Sequence, residues 1–77
     1  MAAKRIVTNP GVLQGKPILE GTRISVGFVL QLLGADMSIE EIVAEYPNLT
    51  REDILAAVNY ARQVVENEDV VPAVEAA

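Results

Sequence analysis

The chain has 77 residues, no cysteine, no histidine and a formal net charge of −5. This composition predicts one small domain and excludes disulfides, zinc-finger sites and catalysis by a Cys or His side chain, so we expect no enzyme, no cofactor and no bound metal. The first residues, MAAKRIVTNPG, lack the apolar core of a secretory signal, and no run approaches the roughly 18 apolar residues of a membrane span. We therefore expect a cytoplasmic protein.

The first 25 residues predict short strands and turns. The segment RIVT at residues 5–8 is rich in β-branched side chains, NPG at 9–11 is a turn signal, and GKPILEGTRI at 15–24 holds two brief apolar pieces separated by Glu20 and Gly21. The stretch GKPILEGTRI does not have the spacing of a Walker loop, because the lysine of a Walker loop must directly follow the second glycine. The predicted strand leaves an unpaired edge, which predicts a homo-oligomer or a complex in which another chain adds a strand.

The first helix is predicted over residues 26–33. Ser25 can cap its amino end, and Gly34 can end it in a left-handed conformation. Because VGFVLQLL is apolar on nearly every side, we expect this helix at the centre of a bundle.

The second helix is predicted over residues 39–46. Ser38 and Glu41 have the spacing of a capping box, and Pro47 ends the helix because the residue before a proline disfavours helical geometry. Its apolar residues recur at helical spacing and are Ile39, Ile42, Val43 and Tyr46. A solvated face, and no metal site, is expected at the acidic residues Glu40, Glu41 and Glu45.

The third helix is predicted over residues 51–67, with Thr50 and Asp53 as a second capping pair. Its buried stripe is predicted to be Ile54, Val58, Ala61 and Val65, with Ala57 and Val64 beside it. The full predicted core comprises Phe28, Leu32, Ile39, Ile42, Val43, Ile54, Val58 and Ala61.

These elements predict a mainly α fold, a three-helix bundle with a short N-terminal segment of strand and turn. The second and third helices form a helix-turn-helix unit, and their connection is so short that they should cross at a steep angle. We expect a single domain over residues 1–69, divided into a head at 1–25 and a helical body at 26–69, and then a flexible tail at 70–77.

Charge is divided unevenly between head and body. Residues 1–25 carry four basic residues and one acid, a net +3, whereas residues 26–77 carry two basic and ten acidic residues, a net −8. Any contact with a polyanion should therefore involve the head. If the chain touches an operator, its DNA-binding residues are predicted to be Lys4, Arg5, Lys16 and Arg23 on phosphates, with Arg51, Asn59 and Gln63 nearer the groove.

The third helix is a weak reader of DNA on chemical grounds. Glu52 and Asp53 suit the positive end of a helix dipole, but they repel phosphate at a place where a recognition helix presents Arg, Lys or Asn. Affinity of the chain alone is therefore expected to be low and steeply dependent on salt. The alternative is a three-helix bundle that reads no DNA.

Several motifs together carry a resemblance to a known family. They are GKPILEGTRI at residues 15–24, MSIEEI at 37–42, YPNLT at 46–50 and DILAAVNYA at 53–61. Residues 9–61 resemble the small bacterial family called domain of unknown function 433, many of whose members are regarded as VapB-type antitoxins. The resemblance implies a homeodomain-like helix-turn-helix core, a PIN-like ribonuclease toxin as partner, and promoter binding as a complex. The signature turn of the family would be Gly15, Pro17, Gly21, Thr22 and Arg23.

One departure from that family bears on how a partner would be held. VapB-type chains often present a basic residue from a C-terminal segment to the acidic metal site of the toxin, yet nothing basic follows Arg62 here. The acidic body can instead compete for the basic rim of an RNA groove, and an apolar tail can order on the partner's surface. The predicted partner-binding residues of that tail are Val70, Val71 and Val74.

Three functions remain open, and the first of them is the one that the resemblance implies. The first is the antitoxin of a type II toxin–antitoxin pair, which neutralises a PIN-like ribonuclease and contributes to operator binding. The second is a stand-alone homodimeric transcriptional regulator that binds DNA, and the third is a structural oligomerisation module without nucleic acid. A neighbouring reading frame that encodes a small chain with scattered aspartates would favour the first.

Overall fold

A computed structural model describes residues 3–67 of the chain, which form three α-helices preceded by a two-stranded antiparallel sheet. The elements, in chain order, are β1 (Ile6–Val7), a 3₁₀ turn (Leu13–Gly15), β2 (Ile18–Leu19), α1 (Val26–Gly34), α2 (Ile39–Glu45) and α3 (Arg51–Asn67). The predicted mainly α fold with a short strand segment at its amino end is therefore confirmed. Each helix begins and ends within one residue of its predicted bounds.

The head is a small sheet with β2 at its centre. Ile6 pairs with Leu19 and Val7 with Ile18, while Ile18 also bridges Ser25 on its other side. β2 therefore lies between β1 and the chain that enters α1. Among residues 3–67 the outer edge of β1 has no strand partner, so the predicted addition of a strand from another chain stays a prediction.

The stretch GKPILEGTRI forms structural turns on either side of β2. Gly15 and Gly21 both have a φ of +80°, a left-handed conformation that L side chains rarely adopt. The Thr22 hydroxyl donates to the Leu19 carbonyl oxygen at 2.7 Å and accepts from the Ile24 amide at 3.0 Å. These bonds close the return from β2 toward α1, as the turn interpretation of the sequence predicted.

The amino end of α1 forms as predicted, but the helix is not surrounded by the rest of the chain. The Ser25 hydroxyl accepts a hydrogen bond from the Phe28 amide at 2.9 Å. Only Val26 and Val29 are buried, and Leu30 is 37% exposed. The expectation of a central helix is therefore wrong, because α1 covers one side of the body and turns its other side outward.

The left-handed residue that follows α1 lies two positions later than predicted. Gly34 stays helical, and the left-handed residue is Asp36, with a φ of 72°. The Asp36 amide donates to the Leu33 oxygen at 3.0 Å and the Met37 amide to the Leu32 oxygen at 3.1 Å. This pair of bonds is a Schellman motif, in which a short polar residue takes the place usually given to glycine.

Both predicted capping pairs are present at the amino ends of α2 and α3. The Glu41 amide donates to the Ser38 hydroxyl at 3.0 Å, and the Ser38 amide donates to the Glu41 carboxylate at 2.8 Å. The Asp53 amide donates to the Thr50 hydroxyl at 3.2 Å, and the Thr50 amide donates to the Asp53 carboxylate at 2.9 Å. Each pair satisfies amides that the first turn of a helix would leave without partners.

The core lies where the three helices meet β2. Its buried apolar residues are Ile18, Leu19, Val26, Val29, Ile42, Leu49, Ile54 and Ala57. Ile42 and Ile54 were predicted there, whereas Val58 was wrongly predicted and is 39% exposed. The other residues of the predicted core are half-buried, and they are Phe28, Leu32, Ile39, Val43 and Ala61.

The buried face of α3 is rotated from the predicted stripe. Asp53, Ile54 and Ala57 are buried, while Val58 is largely exposed and Val65 is 65% exposed. A stripe chosen by apolar residues alone places Asp53 on the surface. Since Asp53 faces inward, the helix turns that side to the body and leaves Val58 and Val65 outside.

Candidate functional site

A buried carboxylate joins the head to the first turn of α3. Asp53 is 1% exposed and accepts hydrogen bonds from the Lys4 amide at 2.7 Å, the Lys4 ammonium at 2.9 Å and the Thr50 amide at 2.9 Å. The Lys4 ammonium also donates to the Asn48 carbonyl oxygen in the α2–α3 connection at 2.7 Å. This Lys4–Asp53 link fixes the strand segment to the helix-turn-helix unit.

Hydrogen bonding determines the charge of Asp53 in the folded chain. Burial alone raises the pKa of this carboxyl, but bonds from the Lys4 amide, the Lys4 ammonium and the Thr50 amide, with the charge of Lys4, outweigh burial and lower its pKa below the ordinary value. Asp53 is therefore a stable carboxylate at neutral pH, and its charge is matched by a cation.

The two arginines of α3 are also paired within the chain. Arg51 bonds the Glu40 carboxylate of α2 at 3.2 Å. Arg62 bonds the Glu66 carboxylate at 2.8 Å and donates to the Asn59 side-chain oxygen at 3.4 Å. Because these pairs are exposed, they are weak and can exchange for other partners.

The remaining cations of the head stay exposed. Arg5, Lys16 and Arg23 form no ion pair with an acid of residues 3–67. Lys16 lines an open groove of about 550 Å³ beside Phe28, and Arg23 lines a second groove of about 660 Å³ that reaches Asn48. The predicted phosphate contacts therefore lie in different parts of the head. Lys4 differs from the other three, because its ammonium already donates hydrogen bonds to Asp53 and to the Asn48 carbonyl oxygen.

The first turn of α3 carries less exposed negative charge than predicted. Asp53 was expected to repel phosphate from the surface, and this expectation is wrong because the carboxylate is buried and paired with Lys4. Glu52 alone of the two acids is exposed, close to Arg51. Asn59 and Gln63, the other predicted groove contacts, are exposed about two and about three turns further along the helix.

The structure offers no obvious metal-binding or membrane-spanning element within the described residues. Across residues 3–67, no three His, Cys, Asp or Glu side chains are grouped to hold a metal ion. Glu40 is paired with Arg51, and Glu41 belongs to the α2 capping box. None of the three helices is both long enough and apolar enough to cross a bilayer.

Sequence reasoning missed the Lys4–Asp53 link and found other parts of the site. The basic residues were recognised from composition, but the two ends of this link lie 49 residues apart, so no local pattern could pair them. The sequence showed only that Asp53 forms a capping pair with Thr50. That pattern places the carboxylate at the start of the helix but does not identify a second binding partner. The predicted partner contacts Val70, Val71 and Val74 lie outside the described residues.

Comparisons with known proteins give a family and one relative. The family described as "Protein of unknown function (DUF433)" matches residues 6–61. An uncharacterised protein, y4eO, of Sinorhizobium fredii (strain NBRC 101917 / NGR234) is 39% identical over 61 residues, which are 78% of this chain and 28% of that protein. The chain thus spans less than a third of the length of this relative. No solved structure matches the chain.

Proposed function

This chain belongs to the family described as "Protein of unknown function (DUF433)", and we propose that it is the antitoxin of a type II toxin–antitoxin pair. In this role it binds and neutralises a PIN-like ribonuclease and contributes to operator binding by the complex. The observation that carries the proposal is the separation of Arg5, Lys16 and Arg23 on the head, which form no ion pair within residues 3–67, from an acidic helical body.

The acidic body supports contact with a ribonuclease. Glu41, Glu45 and Glu52 are exposed on α2 and α3, in the part of the chain whose net charge is −8. A ribonuclease must hold RNA with a basic surface, so helices of this charge are attracted to the rim of its groove and compete with RNA there. Charge steers such a contact, and apolar side chains hold it.

The head supports contact with operator phosphates. Arg5, Lys16 and Arg23 are exposed and have no acidic partner among residues 3–67. Three phosphate contacts give modest affinity that falls with salt. The chain alone is therefore a weak DNA binder, and a complex that presents two or more heads binds the operator more tightly through effective concentration.

Expression from the native two-gene segment tests the partner contact. A tagged chain should copurify with the product of the neighbouring reading frame and suppress its cleavage of RNA. The double substitution Glu45→Lys and Glu52→Lys should weaken inhibition, most clearly at low salt, whereas the matched change Glu20→Lys in the head should leave it unchanged. The antitoxin role would be refuted if no neighbouring product copurified with the chain. It would also be refuted if that product cleaved RNA equally well in the presence of the chain.

Salt titration of operator binding tests the role of the head. The triple variant Arg5→Ala, Lys16→Ala and Arg23→Ala, in complex with the partner, should flatten the dependence of log K on log salt by about 0.9 for each lost phosphate contact in each chain. Arg62→Ala, which removes an exposed arginine of α3, serves as the control. An unchanged slope in the triple variant would exclude the head as the DNA surface.

The stand-alone regulator is the second candidate, and the order of α2 and α3 favours it. Two helices joined by a five-residue connection, with Asn59 and Gln63 exposed on the second, suit a recognition helix. Tight operator binding by the isolated chain at physiological salt would support this function over the antitoxin. The third candidate, an oligomerisation module, predicts no DNA binding with or without a partner.

A further inference from the structure

The outer edge of β1 carries backbone groups that point away from β2. The Glu20 amide donates to the Arg5 carbonyl oxygen at 2.8 Å, and the pairing register places Val7 opposite Ile18. Neighbouring residues of a strand direct their backbone groups to opposite edges. Since those of residues 5 and 7 face β2, those of residues 4, 6 and 8 face outward.

Only part of this outer edge is free. The Lys4 amide lies on it and donates to the Asp53 carboxylate at 2.7 Å, which independently confirms the outward direction. The amides and carbonyls of Ile6 and Thr8 have no hydrogen-bond partner within residues 3–67. Pro10, the next residue with the same direction, has no amide hydrogen. The free stretch therefore lies between an amide that is already bound and a residue that has none.

We propose that the outer edge of β1 pairs with the same edge of a second copy of this chain, with the two-fold axis at Val7. Identical edges related by a two-fold axis run antiparallel. Ile6 of each copy then lies opposite Thr8 of the other, and these residues exchange four N–H···O bonds. The strands of the two copies form one antiparallel sheet in the order β2, β1, β1 and β2.

The two ends of the free stretch decide the register. With the axis at Ile6, Thr8 would face Lys4 of the other copy, whose amide is already bound within its own chain. With the axis at Thr8, Ile6 would face Pro10, which has no amide to donate. An axis at Val7 uses all four free groups and sets Lys4 opposite Pro10, where neither residue has an amide to satisfy.

This register also explains why the occupant is a second copy. The free stretch matches itself in length and in the order of its donors and acceptors, which a strand of another protein need not do. Val7 is half-buried and lies directly opposite its own copy, where β-branched side chains pack well against each other. Arg5 lies opposite Asn9 of the other copy, so no like charges face each other across the edge.

The contact is small, and this limits its strength. β1 has two residues, and the pairing adds four backbone hydrogen bonds. Interfaces well below the standard size are weak, so we expect a dissociation constant on the order of 10 µM or weaker. The pairing concerns the isolated chain and needs neither a ribonuclease nor an operator, so its test is separate from that of the antitoxin proposal.

Cysteine cross-linking tests the register, and the natural chain contributes no thiol of its own. Full-length Val7→Cys should form a disulfide-linked dimer in oxidised glutathione, because the two copies of this residue lie directly opposite each other. Arg5→Cys, on the same face of β1, should form far less. Its two copies lie four residues apart along the pair, about 14 Å, beyond disulfide reach. Equal cross-linking of the two variants, or none of Val7→Cys, would overturn the proposal.

Sedimentation of the full chain over a range of concentrations tests the backbone bonds. The wild type should shift from monomer to dimer. Thr8→Pro removes an amide that has no partner within residues 3–67, so it should keep the helix content and weaken the dimer at least tenfold. Thr8→Ala, which loses the side chain but keeps the amide, should associate like the wild type. A wild-type monomer at all concentrations, or equal association of the proline and alanine variants, would overturn the pairing.

Discussion

The two capping pairs that begin α2 and α3 have the same geometry and different surroundings. Ser38 and Glu41 exchange bonds of 2.8 and 3.0 Å on the surface, and Thr50 and Asp53 exchange bonds of 2.9 and 3.2 Å. Asp53, however, is buried and also binds Lys4, 49 residues away. The surface pair stabilises one helix end, whereas the buried pair also fixes the head to the body.

A local capping motif does not determine how much it contributes to stability. An exposed side-chain bond at a helix end competes with water and contributes about 1 kcal/mol. A buried carboxylate has no water to replace a lost partner. Removal of any one of its hydrogen bonds therefore lowers the free energy of unfolding by more than the same loss at the surface.

The largest effect is expected beneath the surface pair, at Ile42. This residue is fully buried one turn into α2, so the exposed cap and the core share one short helix. Ile42→Ala should lower the free energy of unfolding by about 2–5 kcal/mol, because it leaves a cavity. Urea denaturation followed by circular dichroism measures this, with the half-buried Val43→Ala as a milder control. Equal losses in the two variants would contradict the assigned inner face of α2.

Asp53→Ala should cost about 2–4 kcal/mol, since it removes three accepted hydrogen bonds and leaves Lys4 without its counter-charge. The matched change in the surface pair is Glu41→Ala, for which about 0.5–1 kcal/mol is expected. Thermal and chemical denaturation of both variants compare them directly. If the two losses agree, burial adds nothing to the buried pair.

Acid should weaken the buried pair selectively. The pKa of Asp53 in the folded chain lies below its ordinary value of 3.8, so its contribution to stability is complete above that value and is lost as pH falls through the lower folded-state pKa. The free energy of unfolding of the wild type should therefore fall more steeply below pH 3.8 than that of Asp53→Asn. Denaturation series at decreasing pH measure the two slopes, and parallel slopes would rule out this linkage.

Lys4→Met removes the ammonium but keeps the backbone bond and most of the aliphatic stem. We expect a loss of about 1–3 kcal/mol, because Asp53 retains its two amide donors and loses its charged partner. Arg5→Met, at the neighbouring exposed position, should change stability by less than about 0.5 kcal/mol. Similar losses in the two variants would show that the ion pair contributes nothing specific.

The smallest effect is expected for Ser38→Ala, about 0.5–1 kcal/mol. Combined with Lys4→Met, this loss should be additive, because the surface pair shares no partner with the buried link. Thr50→Ala with Lys4→Met should instead be non-additive, since both act on Asp53. A double-mutant cycle for each combination measures the coupling, and equal coupling in the two cycles would remove the distinction between the pairs.

The capping pairs show which part of the fold could be predicted from sequence. Ser38 with Glu41 and Thr50 with Asp53 are local patterns, and the helices begin where those patterns place them. The rotation of α3 could not be predicted, because an acid counts as surface in any apolar pattern. The burial of Asp53 depends on Lys4, and only the folded chain brings Lys4 close to α3.

The same limit applies to the candidate site. Composition identified the basic head, where Arg5, Lys16 and Arg23 are exposed, and their contact with phosphate stays a prediction. Composition does not show which cations are already engaged within the chain, and Lys4 was grouped with the others for that reason. Long-range pairing of charges is decided by tertiary structure, which a count of residues along the chain does not contain.

The 49-residue separation of Lys4 and Asp53 also sets an order of events during synthesis. At the usual rate of translation, Lys4 is made roughly 2–10 s before its partner. Over that interval the segment containing Ile6 and Val7 cannot dock onto α3, whereas α1 and α2 can form from local contacts as they emerge. The segment that contains Lys4 is therefore made before α3, but it can reach its native contact with that helix only after α3 has been made.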